Sequence, residues 1–436
     1  MHLLKKILAA SAITALAAGC TPSAKNDPIA TSGVEPTGAI EFWHPFTDRE
    51  AKAVDDLVSD FRAKFPKVTV TVKGEQDDGK MIQAIGAGQG PDVAMSYSTD
   101  IVGRFCSSGA WIDLNQYIQR DKVDLNRYPQ VIKTYTEYRN KRCAMPFLAD
   151  AYGLYYNKSI FSDANVTAPP KTLAELADLA KRLTVKDKDG KLQRVGFLPL
   201  FGFYENSPSH LGPMVGASWL KPDGTSNIGS DPKWTELIKW QKELVDWYGY
   251  DKLEEFRAGL GDEWSAENAF QQGKVAMNID GEWRLAFLKD QAPEVKYGVT
   301  SLPVNDMSRS GAGYTTGNVI GVAKTSANQE AAWALIRFLT TETSSIVKLC
   351  NGIRNLPSTT DARQSKDLVV DDNYRVFLDI HANPNTSTTP PSSVGAAYQD
   401  EFSAFLQQYQ SGEAADLAGG LKKVDDQINN LIKLAG

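Results

Sequence analysis

Acidic and aromatic side chains stand close together at several points in this 436-residue sequence. These groups are Tyr97 with Asp100, the run Phe203, Tyr204 and Glu205, and Asp280 and Glu282 beside Trp283. Carboxylates form charge-assisted hydrogen bonds with hydroxyl groups, and aromatic rings pack against apolar C–H surfaces. Side chains of these two kinds together suit a ligand that carries both hydroxyl groups and apolar C–H surfaces.

Motifs for covalent or metal-assisted catalysis are absent from the sequence. It has no G-x-S-x-G elbow, no H-E-x-x-H motif and no P-loop. The four histidines and the cysteines lack metal-ligand spacing, so we expect neither a metal site nor a cofactor. An exported glycosidase is the alternative, and it would need two carboxylates about 5–10 Å apart across the scissile bond. We predict a binding protein and not an enzyme.

The N-terminus predicts export. Lys5 and Lys6 precede an apolar run over 7–18, which is too short to span a bilayer and ends at Gly19-Cys20. This junction resembles the bacterial lipobox, although Ala17 stands where Leu is usual. We expect residues 1–19 to be a signal peptide and Cys20 to carry the lipid anchor, which needs no transmembrane helix. An ordinary signal peptide with a chance cysteine is the alternative. Residues 20–38 would then form the lipidated Cys and a flexible tether.

Charge and cysteine content limit the partners and the compartment. The formal net charge of −6, without Lys/Arg clusters, argues against nucleic acid and against anionic phospholipid as the partner. Three cysteines remain after Cys20, and an oxidising compartment favours disulfides. We predict a Cys106–Cys143 bond with Cys350 free; a bond involving Cys350 is the alternative.

Strand-like and helix-like segments alternate from Ile40 onward. Strands are predicted at 40–43, 68–72 and 92–96, with a helix over 48–65 whose apolar residues recur at helical spacing. This β-α-β order predicts an α/β fold with a parallel-rich sheet, and about 400 residues suggest two or three folding units. Trp234, Trp240 and Trp247 lie on one helical stripe, which favours core packing over sugar stacking.

Several segments, in order, resemble the bacterial extracellular solute-binding proteins related to maltose-binding protein. They extend over essentially the whole chain from Ile40 to Leu434, and Leu173 stands where Trp is usual. The segments are "IEFWH", "FPKVTVTV", "GQGPDVAM", "SSGAWIDL", "AMPFLADAYGLYYNKSIF", "PPKTLAELADLAKRLT", "ENAFQQGKVAMNIDGEW" and "AAWALIRFLTTET". The segment "AMPFLADAYGLYYNKSIF" is the most specific of these matches, because it contains the pattern "P-F-x(6)-L-Y-Y-N-K".

The resemblance implies a type II periplasmic-binding-protein fold with two α/β lobes, a hinge and an interlobe ligand cleft. The expected N-terminal lobe is 39–147 plus 298–342, and the expected C-terminal lobe is 153–291 plus 349–436. The implied function is capture of a di- or oligosaccharide outside the cytoplasmic membrane by a monomer that delivers it to ABC transporter permease subunits. A glycerol phosphodiester is the alternative ligand, because "FWHPF" is similar to that branch, yet "PPSSVGAAYQDEF" lacks the arginine expected for a phosphate.

Ligand contacts are implied at particular positions. Asp150 stands where the family often carries an acidic residue for sugar hydroxyls, and Trp283 matches its stacking tryptophan; a loop carboxylate and a core ring are the alternatives. Tyr97 and Asp100 match the aromatic residue and the Asp of a cleft loop, although Asp100 could instead serve a helix N-terminus. Other candidates, each with a structural alternative, are Trp43, His44, Tyr204, Glu205, Trp264, Asp280, Glu282, Gly317, Asn318 and Arg354.

Overall fold

The computed structural model describes residue 33 and residues 35–435, so the predicted signal peptide and Cys20 lie outside the described residues. The strands are β1 (Gly38–Trp43), β2 (Val68–Lys73), β3 (Val93–Ser96), β4 (Met145–Asn157), β5 (Val185–Lys186), β6 (Leu192–Arg194), β7 (Met277–Gly281), β8 (Tyr297–Thr300) and β9 (Thr315–Val322). No helix in the described part of the chain is long and apolar enough to cross a membrane.

Seventeen α-helices are found among the described residues. They are α1 (Asp48–Lys64), α2 (Asp78–Gly86), α3 (Ile101–Ser108), α4 (Asn115–Arg120), α5 (Gln130–Tyr135), α6 (Lys158–Asp163), α7 (Leu173–Arg182), α8 (Pro208–Leu211), α9 (Pro232–Tyr248), α10 (Tyr250–Ala258), α11 (Arg284–Gln291), α12 (Gln329–Thr341), α13 (Thr343–Ile353), α14 (Thr360–Arg363), α15 (Asp372–Ala382), α16 (Ala397–Ser411) and α17 (Leu417–Leu434). Short 3₁₀ turns occur at Leu125–Arg127, Gly212–Met214 and Met307–Arg309.

The main sheet has the order β2-β1-β3-β9-β4-β7, with β8 also paired to β4. β1 runs parallel to β2 and β3, as the β-α-β order predicts, whereas β9 is antiparallel to β3 and β4. The 13-residue strand β4 changes partner along its length. Its residues up to Ala151 pair with β9, and those from Tyr152 onward pair with β7 and then β8. β4 therefore runs from one part of the molecule into the other.

Two hydrophobic cores lie on either side of this change of partner. The first contains β1 to β3, β9, α1, α3 and α12, and the second contains α7, α9, α16 and α17. Residues Leu349 to Ile380 pack in the first core, whereas the sequence-based division put 349–436 in the second lobe. We therefore propose that the chain returns to the second lobe only after about residue 380, before Tyr398 joins the second core.

Local sequence signals explain the elements that carry the site. α1 buries Val54, Leu57, Val58 and Phe61 on one stripe. α7 begins with a capping box, because the Thr172 hydroxyl accepts from the Glu175 backbone amide and the Glu175 side chain accepts from the Thr172 backbone amide. The prediction that the tryptophans of α9 pack in the core was partly wrong. Trp234 is fully buried, but Trp247 is 41% exposed and lies beneath the Lys186 side chain.

Cys106 and Cys143 are joined by a disulfide, and the remaining described cysteine, Cys350, is a buried free thiol. The bond links α3 to the residues just before β4. It thereby fixes the start of the strand that connects the two cores.

Candidate functional site

The site is built around the point where β4 changes partner. Ala151 pairs with Thr315 of β9, and the next residue, Tyr152, pairs with Gly281 of β7. Asp150, immediately before this point, is only 5% exposed, and its Oδ1 accepts a 2.6 Å hydrogen bond from Asn355 Nδ2. Burial raises the pKa of Asp150, while that hydrogen bond opposes the rise.

Glu282 follows β7 and lies beside Asp150. The side chain is completely buried, and its Oε2 accepts a 2.9 Å hydrogen bond from the Ala151 amide. Burial and then the negative charge of Asp150 raise the pKa of Glu282 well above its ordinary value. The two carboxyls therefore form a buried pair at the crossing of β4.

A second acidic group lies on the second-core side of the crossing. Asp280 Oδ2 is 2.6 Å from Arg284 Nε, and Glu263 Oε1 is 3.9 Å from Arg284 Nη2. Burial and the charge of Asp280 raise the pKa of Glu263 to about 8, and burial with the charges of Glu263 and Asp280 raises the pKa of Glu205 well above normal. Asp280 and Glu263 thus share one guanidinium, and the charge of Arg284 also acts on the nearby Glu205.

Aromatic rings form a continuous wall next to these carboxyls. Tyr152 stacks on His210 with ring centroids 3.7 Å apart, and it also meets Trp283 in a T-shaped contact at 5.4 Å. Trp264 continues the series at 6.3 Å from Trp283 and is 48% exposed. The wall, made of Tyr152, Trp283 and Trp264, therefore runs from a buried ring to an exposed one.

The first core contributes Tyr97 and Asp100 from the loop after β3. Tyr97 is 49% exposed and packs its ring against the edge of Phe46, with centroids 5.3 Å apart. Burial raises the pKa of Tyr97, and the charges of Glu50 and Asp150 add to the shift. Asp100 instead accepts from Thr389 Oγ1 at 3.2 Å, so its carboxylate contacts the segment that leads into the second core.

Several predicted ligand contacts have partners within the protein instead. His44 is buried between Phe42 and Phe46, and burial lowers its pKa to about 4. The indole of Trp43 donates to Glu41, and its ring lies 5.5 Å from Lys73 Nζ. The Trp43 indole therefore has a partner beside β1, so we leave Trp43 out of the proposed site. His44 is 1% exposed and its Nδ1 has no hydrogen-bond partner among the described residues, so its contact with a ligand stays a prediction.

Arg354 and Tyr204 also serve local structure. Arg354 donates to the Val369 carbonyl at 2.8 Å, pairs with Asp371 and lies 4.4 Å from the Tyr374 ring. The Tyr204 hydroxyl donates to the Gly261 carbonyl at 2.7 Å. Arg354 therefore corresponds to the ion-pair alternative, and Tyr204 anchors the loop that carries Glu263.

Gly317 and Asn318 lie on β9 opposite β4. A Cβ at Gly317 would approach the Leu148 carbonyl oxygen to 2.2 Å, so glycine is required by strand packing at this place. Asn318 is 3% exposed, and its Oδ1 has no hydrogen-bond partner among the described residues. Asn318 therefore remains a candidate contact, whereas Gly317 is explained by the sheet.

Sequence reasoning missed Tyr152, His210, Glu263 and Asn355. Tyr152 could have been found, because side chains two residues apart on a strand share a face and Tyr152 follows Asp150 at that spacing. His210 and Asn355 carried no such signal, since their partners are distant in the chain. Among the described residues, no group of three His, Cys, Asp or Glu side chains is arranged to hold a metal ion.

Comparison with known proteins gives sequence relatives. The family described as bacterial extracellular solute-binding protein matches residues 47–345. A maltotriose-binding protein of Pyrococcus abyssi is 23% identical over 400 residues, covering 90% of this chain and 82% of the relative. A maltooligosaccharide ABC transporter solute-binding lipoprotein of Streptococcus pneumoniae is 26% identical over 334 residues, covering 73% of this chain and 72% of the relative.

Solved structures share the fold. The structure of CpMnBP1 with mannotriose bound superimposes with a TM-score of 0.79 at 23% identity, covering 89% of this chain and 99% of that one. A maltose/maltodextrin-binding domain from Bdellovibrio bacteriovorus superimposes with a TM-score of 0.69 at 20% identity, covering 91% of this chain and 99% of that one. The fold is therefore the two-lobed, maltose-binding-like α/β fold, and with the family match over most of its length the chain belongs to the bacterial extracellular solute-binding protein family.

Proposed function

We propose that this protein is the substrate-binding component of an ABC transporter and captures a di- or oligosaccharide outside the cytoplasmic membrane. The observation that carries the proposal is the aromatic wall beside the buried carboxyls at the β4 crossing. Stacking rings next to hydrogen-bond acceptors suit the faces and edges of a sugar. The names of the Pyrococcus and Streptococcus relatives, which specify maltotriose and maltooligosaccharide, support a ligand of this class.

The length of the aromatic wall favours a ligand with more than one sugar unit. Its ring centroids are spaced 5.4 Å and 6.3 Å apart, so the wall spans more than one ring contact. Tyr97 from the first core is exposed and lies within electrostatic range of Asp150. A chain of sugar units could therefore contact Trp264 at one end and approach Tyr97 from the other side.

The charge of the site disfavours the alternative glycerol phosphodiester. Arg284 is already paired with Asp280, and Arg354 is paired with Asp371. The carboxyls that surround the β4 crossing offer a phosphate no positive charge, and the Asp150 carboxylate repels it. A neutral polyhydroxylated ligand instead donates hydroxyl hydrogens to those carboxyls.

Calorimetric titration of the mature protein with a panel tests the proposal. The panel should contain maltotriose, mannotriose, a monosaccharide and glycerophosphocholine as the phosphodiester comparison. We expect heat from at least one oligosaccharide and none from the phosphodiester. Binding of the phosphodiester alone would replace the proposed ligand class.

Binding without turnover is part of the proposal, since the named relatives are binding proteins. The bound saccharide should be recovered intact by chromatography after prolonged incubation with the protein. Hydrolysis that disappears in an Asp150→Asn variant would instead support the glycosidase alternative.

The extracytoplasmic location would be secured by the lipid on Cys20. The family match and the lipoprotein relative support export. Cys20→Ser should release the protein from the membrane fraction and change the mature mass, whereas unchanged attachment would contradict anchoring at this residue.

A further inference from the structure

The contact between Asp150 and Glu282 joins two acids that have no cation beside them. Glu282 Oε2 accepts from the Ala151 amide at 2.9 Å, and Asp150 Oδ1 accepts from Asn355 Nδ2 at 2.6 Å. Asp150 is 5% exposed and Glu282 is completely buried. Each carboxyl therefore has one neutral donor, and the two acids face each other away from water.

The other titratable groups that interact with the pair are neutral or acidic. They come from every neighbouring element: Glu50 of α1, Tyr97 after β3, Tyr135 of α5, Tyr152 and Tyr155 of β4, Cys350 of α13 and Tyr374 of α15. Within the described part of the chain, no lysine or arginine is among the main causes of the pKa shift of either acid. Two adjacent buried anions would repel each other strongly, so the pair must retain a proton.

The burial of the two acids indicates which one holds that proton. Asn355 and the Ala151 amide give each acid one donor, but Asp150 retains 5% exposure, whereas Glu282 is completely buried and its Oε1 has no hydrogen-bond partner among the described residues. Deeper burial favours the neutral form of Glu282, and the negative charge of Asp150 acts in the same direction. Glu282 is therefore the neutral acid that donates to Asp150, and Asp150 is the carboxylate.

We propose that Glu282 is a positioning residue that acts as a protonated acid and holds the Asp150 carboxylate in the orientation that contacts the sugar. The role rests on the proposed function, because it assumes that Asp150 accepts hydroxyl hydrogens from the ligand. Loss of the proton from Glu282 would place a second anion against Asp150 and displace both side chains. Sugar affinity should therefore fall at alkaline pH without any change in the ligand.

Glu282→Gln is the matched variant, because a glutamine amide donates to Asp150 and its carbonyl accepts from the Ala151 amide. With the saccharide that gives the strongest heat in the panel, we expect Glu282→Gln to bind within about threefold of wild type at about pH 6. Above the folded pKa of Glu282, wild-type affinity should fall by up to about tenfold per pH unit, whereas the variant should show a flatter profile. Asp150→Asn should lose affinity at every pH.

Parallel pH profiles for wild type and Glu282→Gln would overturn the proposal, as would a loss greater than about tenfold in the variant at about pH 6. A measurement without ligand separates this outcome from failure of the proposed function. The infrared carbonyl band of a protonated acid should be present in the wild-type protein at neutral pH and be reduced in Glu282→Gln. An unchanged acid band would overturn the proposal even if no saccharide binds.

Asp150→Asn supplies the same information if Glu282→Gln fails to fold. Removal of the negative charge beside Glu282 should lower the pKa of that residue. The acid band should then disappear at a lower pH in Asp150→Asn than in wild type. An identical titration of the band in the two proteins would overturn the proposal.

Discussion

Tyr152 and His210 stack face to face, with ring centroids 3.7 Å apart, and this contact links the crossing strand β4 to α8. His210 Nδ1 lies 2.6 Å from the Glu205 carbonyl oxygen, which assigns the ring hydrogen to Nδ1. Burial lowers the pKa of His210 to about 4, so the ring is neutral at neutral pH. The aromatic wall therefore begins on an uncharged imidazole.

His210 should make the protein sensitive to mild acid. Its pKa falls from 6.5 in the unfolded chain to about 4 in the folded protein, so the unfolded state binds the proton first. This contribution to stability is present above about pH 6.5 and is lost as the pH falls toward about 4, and it amounts to roughly 3 kcal/mol. Urea unfolding at a series of pH values should show that the unfolding free energy of His210→Asn falls less steeply with decreasing pH than that of wild type. Parallel curves for the two proteins over this window would contradict the assignment.

Trp264 should contribute to ligand affinity and little to stability, because it is 48% exposed. Trp264→Ala should weaken oligosaccharide binding by about 1–3 kcal/mol through lost stacking and apolar contact. Trp247 of α9 is a matched control, since it is 41% exposed but contacts Lys186 outside the wall. Calorimetry should show near-normal affinity for Trp247→Ala. Equal effects of the two substitutions would remove Trp264 from the site.

Trp283 is partly buried against the second core and is also the middle ring of the aromatic wall. Trp283→Ala should reduce ligand affinity by about 2–4 kcal/mol, since it removes the ring between Tyr152 and Trp264. The loss of unfolding free energy should stay below the roughly 3–5 kcal/mol expected for Trp234→Ala, whose ring is fully buried. If Trp283→Ala loses as much unfolding free energy as Trp234→Ala and still binds the saccharide with normal affinity per folded molecule, Trp283 belongs to the core.

The fold and part of the site could be predicted from the sequence because both depend on local patterns. Helical spacing on α1 and alternation on β2 follow from the residues themselves. The pair of Asp150 and Asn355 could not be predicted, because 205 residues separate its members. The environment of His44 could not be predicted for the same reason, because neither the packing of Phe46 nor the burial of the imidazole ring is visible in the sequence around it.

The disulfide should stabilise the connection between α3 and β4. Cys106 and Cys143 are 37 residues apart in sequence, and loop closure of that size is worth about 3–4 kcal/mol. Denaturant unfolding of a Cys106→Ala/Cys143→Ala double variant should show an unfolding free energy that is lower than that of wild type by this amount. Intact-mass thiol counting checks the pairing independently: one free thiol is expected in the mature chain, whereas three would show that the bond is not formed.

Gly103 of α3 lies against the segment that leads into the second core. A Cβ at Gly103 would approach Ser392 O to 2.2 Å and Ser392 N to 2.5 Å, so the helix and that segment meet through glycine. Nearby, Asp100 contacts Thr389 at 3.2 Å, and Thr389 also contacts the Tyr314 hydroxyl at 2.7 Å. These contacts connect the first core to the segment between α15 and α16.

The sign of the stability change at Gly103 tests this contact. In an open helix, Gly→Ala stabilises by about 0.5–1 kcal/mol because alanine has the higher helix propensity. Gly86 of α2 is the control, since no atom lies within 4 Å of its added Cβ, and Gly86→Ala should give that gain. Gly103→Ala should instead destabilise the protein by about 1–3 kcal/mol, because the methyl group must displace the Ser392 backbone. Stabilisation by both substitutions, measured by denaturant unfolding, would mean that α3 and the segment at Ser392 are separated in solution.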